Sequence, residues 1–390
     1  MEDLKVVIQY PSFGPQHPPR LEAIASLKPT PGSQVVAMEM FKRDSDYEWL
    51  PIEHVNDTSF IRYTVMDCNS ETARRSNSFI RKSVYAALDD IAPDILVING
   101  WGLKESRASI KWCRKNSCKV VLLSDSVREN RKRFWLLELY KKWIVRGIKA
   151  GFVAGTPQAS YLEYLGVPRE GIFAPGTCVV DNTYWIEQSK IIRQSANKIR
   201  KAYGLPEHYF LCVARFVNCK NIPFLIKSYA LYRKHAGKDA IDLVICGSGV
   251  EETKIRSTIK EYNLTSVHLH GFRQIDELPA FYSLASCFIL PSSNFECWGF
   301  VVNEAMASGL PVLVSNMVGS AEDLVKNGEN GFVFDPHDEF ALARFMREIT
   351  SNEDIAQKMG CKSLEIIAGH TPLVAADMFW RAVNAAQKIE

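Results

Sequence analysis

Two glutamates eight residues apart offer the clearest chemistry in this sequence. They lie in PSSNFECWGFVVNEAMASGLPVLVS, which starts at Pro291. Glu296 falls in a loop, Gly299 allows a tight turn, and Glu304 falls on a helix that stops at Gly309 before Pro311 opens a strand. A helix N-terminus presents unbonded N–H groups and the positive end of a dipole, which suits a phosphate. Carboxylates accept hydrogen bonds from hydroxyls, so acids on both sides of a phosphate suit a ligand with a sugar on either side, as in a nucleotide sugar. The spacing alone also suits two acids that merely favour the helix dipole.

Cations stand upstream. The run FLCVARF leaves Arg215 at its end, and Lys220 follows five residues later. A cation at the carboxyl end of a parallel strand sits where open α/β sheets bind ligands. Two of them could hold a diphosphate and neutralise it as a leaving group, although each alone also reads as a solvated surface charge. Gly247-Ser248-Gly249 after DLVIC permits a close backbone approach to phosphate, but it lacks the third glycine of a dinucleotide fingerprint.

The elements that must position these groups read as short apolar runs between helical stretches. They are VVIQY from Val6, DILVING from Asp94, KVVLLSD from Lys119, FLCVARF from Phe210, DLVICGSG from Asp242, VHLHGF from Val267, CFILP from Cys287 and PVLVS from Pro311. Runs apolar throughout suit parallel strands covered on both faces, so the fold class is doubly wound α/β. The 390 residues allow two or three domains at about 150 residues each. The Pro, Gly, Asp and Asn of APGTCVVDNTYW place a boundary near residue 183. The expected division is 1–183, 184–370 and a terminal helix over 371–390.

Composition excludes several classes. Lys and Arg number 47 against 44 Asp and Glu, a net +3 that implies no polyanion or nucleic-acid coating. The ten cysteines show no metal-ligand spacing, and most read as buried thiols in a reducing compartment. The start MEDLKVVIQY lacks a signal peptide's apolar centre, and no run approaches the ~20 residues of a membrane span. A cytoplasmic chain, at most peripherally bound at the inner membrane face, is expected. Within 127–149, eight basic residues (Arg128, Arg131, Lys132, Arg133, Lys141, Lys142, Arg146, Lys149) face two acids, Glu129 and Glu138, with aromatic residues interleaved. That is an amphipathic basic helix able to lie on anionic lipid, or an internal helix with a charged outer face.

In order, these motifs resemble the retaining glycosyltransferases of family 4. The resemblance is strongest from Phe210 to Pro336 and includes Arg215 with Lys220, the Gly247/Gly249 turn, HGF before DELPAFY, E-x7-E from Glu296 to Glu304, and GENGFVFDP. It implies the GT-B fold, with two Rossmann-like domains facing across a cleft and the last helix crossing back to the first. The resemblance further implies that Arg215 and Lys220 bind a donor diphosphate and Glu304 the ribose. Glu296 would contact the donor sugar, the backbone of Cys297, Trp298, Gly299, Phe300 and Val301 would hold sugar and phosphate, and Phe272 with Arg273 would hold the base. It implies no cofactor and no metal, since cations and the helix end replace Mg2+. The amino-terminal half would bind the acceptor, an oligosaccharide or lipid-linked sugar.

That half departs from the family's common pattern. Gly14 stands alone in YPSFGPQHPPRLEA where relatives carry a glycine pair, and it would approach the diphosphate; His17 and Arg20 are candidate donor or acceptor contacts. Ser124-Asp125 replaces the usual His-Asp, which removes a donor-sugar contact and leaves Ser124 as an acceptor contact and Asp125 near the reacting carbon. The implied activity is transfer of glucose or a close relative from a UDP-sugar in envelope or exopolysaccharide synthesis. A nucleotide-sugar epimerase, a phosphorylase, a nicotinamide dehydrogenase and a non-catalytic sugar-nucleotide binder are the alternatives.

Overall fold

The computed structural model describes residues 3–14, 16–43, 59–73, 76–128, 134–294 and 296–388. It divides into two compact units, Met1–Val180 with His370–Glu390, and Asp181–Gly369.

The first unit holds β1 (Lys5–Tyr10), β2 (Gln34–Arg43), β3 (Ile61–Asn69), β4 (Ile95–Asn99), β5 (Lys119–Ser124), β6 (Ala150–Val153) and β7 (Ile172–Phe173). They form one parallel sheet in the order β3-β2-β1-β4-β5-β6-β7. The second unit holds β8 (Tyr209–Val213), β9 (Asp242–Cys246), β10 (Val267–Leu269), β11 (Cys287–Leu290), β12 (Val312–Ser315) and β13 (Gly331–Phe334), parallel in the order β10-β9-β8-β11-β12-β13. All eight apolar runs of the sequence are parallel strands. Their central members are covered on both faces: Val6, Val7 and Ile8 of β1 and Leu211 and Cys212 of β8 are no more than 1% exposed. The edge strand β3 (IRYTVMDCN) is different, because most of its residues remain exposed or half-buried and no apolar run marks it.

In each sheet the strand order reverses direction once, between β1 and β4 and between β8 and β11. Loops leaving the carboxyl ends of such strands diverge and open a crevice, the usual ligand position in open α/β sheets. The loop after β8 carries Arg215 and Lys220, and the loop after β11 carries Glu296.

The terminal helix, Pro372–Gln387, starts with Thr371 Oγ1 accepting from the Val374 N–H at 3.2 Å and with a proline in its first turn. It packs back on the first unit, where Phe379 sets its ring edge-on to Phe152 of β6 at 5.6 Å and Trp380 Nε1 donates to the Ile24 carbonyl at 2.9 Å. The helix expected within 127–149 is Trp135–Val145, while Glu129, Arg131, Lys132 and Arg133 lie outside the described residues. Among the described residues no helix is long and apolar enough to cross a membrane.

Phe379 is fully buried. Replacing it with alanine should lower stability in urea unfolding by about 3–5 kcal/mol through lost transfer energy and a residual cavity. A loss of about 0.5 kcal/mol, typical of surface changes, would show that the terminal helix is not part of this core.

Candidate functional site

The loops after β8 and β11 meet. Lys220 Nζ forms an ion pair with Glu296 Oε1, with both side chains mostly buried (14% and 17% exposed), and Ser292 Oγ donates to Glu296 Oε2 at 2.5 Å. The Ser293 N–H donates to the Cys219 carbonyl at 2.9 Å, so backbone as well as side chains ties the two loops. Glu296 is anchored on its other side. Its N–H donates to the Met317 carbonyl and its carbonyl accepts from the Gly319 N–H, each at 2.8 Å. Both carboxylate oxygens are therefore oriented before any ligand arrives. An ammonium has three donors, so pairing with Glu296 leaves Lys220 able to bond a phosphate oxygen as well.

Gly299 turns this loop into the helix Phe300–Ala307. Its φ of 91° lies in the left-handed region, and an added Cβ would meet Leu290 and Val318 at 3.0 Å. Beside it, Trp298 is 2% exposed and its Nε1 donates to Asn303 Oδ1 at 2.8 Å, which closes the first helical turn on itself. Cys297 is exposed and Phe300 and Val301 are half-buried. Glu304 lies on the same helix, accepting from the buried Tyr282 hydroxyl at 2.8 Å through Oε2. Desolvation pushes the Glu304 carboxyl up to about 7, opposed by the Tyr282 hydrogen bond.

Gly247 follows β9 with φ 152°, and a Cβ there would sit 1.9 Å from the Ala214 carbonyl oxygen. Its immediate role is thus to let the β9 loop press against the β8 loop, which the Phe216 N–H seals by donating to Ser248 at 2.6 Å. Arg215 is exposed at the head of that loop. The Gly247 N–H donates to the Gly271 carbonyl at 2.7 Å, which brings in Phe272, 42% exposed, and Arg273. Arg273 pairs with Glu277 at 2.9 Å, and the Gln274 N–H with Arg273 holds that carboxyl below its usual range.

In the first unit the candidates form a second cluster. Gly14 and His17 are joined twice, the Gly14 N–H donating to His17 Nδ1 at 2.7 Å and the His17 N–H to the Gly14 carbonyl at 3.0 Å. The imidazole lies against Tyr10 with centroids 4.4 Å apart. Burial, then the nearby Arg20 charge, keeps it well below the usual histidine range, so His17 is neutral with its proton on Nε2. Arg20 lies inside the first unit. It is 2% exposed, and its guanidinium donates to the Thr177 carbonyl and, at 3.3 Å, to the Tyr10 hydroxyl, bracing the unit from inside. Thr177 Oγ1 donates to Asp125, whose carboxyl is raised by burial against the opposing pull of that bond and of Arg20. Ser124 is buried at the end of β5, where its Oγ accepts from the Ser126 N–H at 3.3 Å. Among the described residues no group of three His, Cys, Asp or Glu side chains could hold a metal ion.

Residues 195–365 match the family described as "Glycosyl transferases group 1". That stretch is similar to the group 1 glycosyltransferases and makes up less than half of the chain. The D-inositol 3-phosphate glycosyltransferase of Corynebacterium diphtheriae is 28% identical over 192 residues, covering 47% of this chain and 44% of that protein. The GDP-mannose-dependent alpha-(1-6)-phosphatidylinositol monomannoside mannosyltransferase of Mycobacterium tuberculosis is 30% identical over 176 residues, 43% of this chain and 45% of that one. The chain thus spans less than half the length of these relatives. Over whole chains, a glycosyltransferase from Rickettsia africae superposes with a TM-score of 0.76 at 14% identity, covering both chains completely. Anabaena HepE, solved in complex with UDP and glucose, superposes with a TM-score of 0.72 at 16% identity over 98% and 99% of the two chains. The fold is GT-B.

Within residues 195–365 the structure joins Lys220 to Glu296 and the Gly247 turn to the Arg215 loop, and it gives Glu304 a separate partner. Ser292 and Tyr282 were not singled out in the sequence. A hydroxyl four residues before a loop acid is a usable signal for Ser292; nothing local marks Tyr282, 22 residues from Glu304. The same holds for Thr177, 52 residues from Asp125.

Glu304 supplies a pH test. Its carboxyl titrates near 4.5 when unfolded and about 7 when folded, so the folded state holds the extra proton between those values and stability falls as pH rises across that window. Glu304→Gln removes this loss. The melting temperature of the variant relative to the parent should climb from about pH 4.5 to about 7 and then level; a flat difference would show that the carboxyl is not desolvated.

Proposed function

We propose that this chain is a retaining glycosyltransferase that moves a hexosyl group, glucose or a close relative, from a UDP-sugar to an acceptor hydroxyl. The observation that carries the reading is the preset Lys220–Glu296 pair at the β8/β11 reversal of a group 1 domain, with Glu304 on the helix that starts beside it. Lys220, Arg215 and the N-terminus of the helix Phe300–Ala307 meet the charge of the diphosphate. Glu296 binds hydroxyls of the transferred sugar, Glu304 binds those of the ribose, and the base lies by the backbone at Phe272 and Arg273.

In the reaction the bond from the anomeric carbon to the diphosphate oxygen breaks. The acceptor oxygen bonds to that carbon on the same face, and its proton passes to the departing phosphate. The protein's contribution is positioning and fixed charge. Positive groups of the chain take the place of a metal ion, so activity should persist in EDTA. The first unit takes the acceptor, a glycan or lipid-linked sugar of an envelope or secreted polysaccharide, with Gly14 approaching the donor diphosphate and Asp125 near the reacting carbon. Support for UDP comes from HepE, while the mycobacterial relative's dependence on GDP-mannose makes GDP the competing base.

Thermal shift with UDP, GDP, ADP and NAD checks the donor, because a ligand that binds only the folded chain raises its melting temperature. UDP should give the largest shift. In a donor-hydrolysis assay Lys220→Ala should lower kcat by roughly 10²–10³, as loss of one preorganised charge does. Glu304→Ala should mainly weaken donor binding, by about tenfold for a lost charged hydrogen bond. Response to NAD alone, or unchanged kinetics in both variants, would contradict the reading.

A further inference from the structure

The helix Trp135–Val145 is inverted relative to an ordinary surface helix. Trp135, Leu136, Leu139, Tyr140 and Trp143 recur at the spacing of one helical face, and each is exposed, from 46% for Tyr140 to 65% for Trp135. The charged residues face inward instead. Glu138 is 5% exposed, bonded to Lys141 Nζ at 2.7 Å and to the Tyr161 hydroxyl at 3.0 Å, and Lys141 also reaches that hydroxyl at 2.9 Å. Ile144 and Val145 bury beside them. The alternative of an internal helix with a charged outer face is thereby excluded for this segment. Burying an ion pair while exposing two tryptophans contributes nothing to the stability of a unit standing alone, and a continuous outward apolar face marks an interaction surface.

Cations surround the face. Arg114 lies 5.9 Å over the Trp143 ring, and Lys142 and Arg128 lie 4.1 and 4.4 Å over the ring of Tyr164. Arg146 and Lys149 are exposed just past the helix end. A second copy of the chain on this face would bring like charges together, which disfavours self-association. Tryptophan, tyrosine and leucine rimmed by Lys and Arg instead match a bilayer interface, where rings sit at headgroup depth and cations meet lipid phosphates.

We propose that the outward face of Trp135–Val145 docks on an anionic phospholipid surface, inserting its aromatic and leucine side chains among the headgroups. The proposal rests on this face alone and stands or falls apart from the reading of the donor site. Flotation of the full chain with phosphatidylglycerol-containing vesicles tests it, with pure phosphatidylcholine vesicles beside them. The chain should float with the anionic vesicles, release with added salt, and show a blue shift in tryptophan emission on binding. Joint substitution Trp135→Ser, Leu139→Ser and Trp143→Ser should lower partitioning more than about tenfold, while far-ultraviolet circular dichroism stays unchanged. Arg146→Glu with Lys149→Glu, at exposed positions, gives an independent loss on anionic vesicles. Equal, weak binding to both vesicle types would overturn the proposal, as would variants that bind like the parent. So would a sedimenting dimer that the serine variant dissolves, which would assign the face to a second copy.

Discussion

The second unit depends on one constraint: opposite charges must be held together where two parallel strands send their loops in different directions. Lys220 and Glu296 satisfy it, each meeting the other's charge in a mostly buried place. Removing one partner would leave the other as an uncompensated buried charge. The surroundings serve this pair. Ser292 fixes the second carboxylate oxygen, the 317–319 segment fixes the backbone of Glu296, and Gly299 starts the helix without pushing Leu290 or Val318 away.

Glu304 obeys a different rule on the same helix. It has no cation among the causes that set its titration, only burial and a tyrosine hydroxyl, so its carboxyl is held up at about 7, whereas Glu296 has a lysine partner. Two carboxyls eight residues apart thus differ in character because of what packs beside them. The first unit repeats the theme with apolar and aromatic support: a neutral His17 ties down the Gly14 loop, and Arg20 joins the Thr177 segment to Tyr10.

Much of the architecture was legible in the sequence because parallel strands buried on both faces must be apolar throughout. FLCVARF and CFILP showed where β8 and β11 lie, and hence where Arg215, Lys220 and Glu296 emerge. Strand β3 was not legible, since an edge strand with exposed polar residues carries no such run. In the site, the residue types of Glu296 and Lys220 were readable, but their pairing was not: contact across 76 positions depends on strand order rather than local spacing. The setting of Arg20 was not legible for a related reason. An arginine beside prolines reads as a loop cation until the fold buries it against a carbonyl 157 residues away. For Trp135–Val145, composition announced a basic helix, and only packing showed that the apolar side faces outward.

The central claim is that a nucleoside diphosphate occupies the loop between Glu296 and Gly299 beside Lys220. Cys297 in that loop and Cys361 on the helix Glu353–Ile367 are both exposed, so one thiol reports on the site and the other serves as an internal control. Alkylation of the two can be followed by peptide mass spectrometry with and without saturating UDP. Protection of Cys297 with Cys361 unchanged is the predicted result; equal rates at both thiols in the presence of UDP would contradict it.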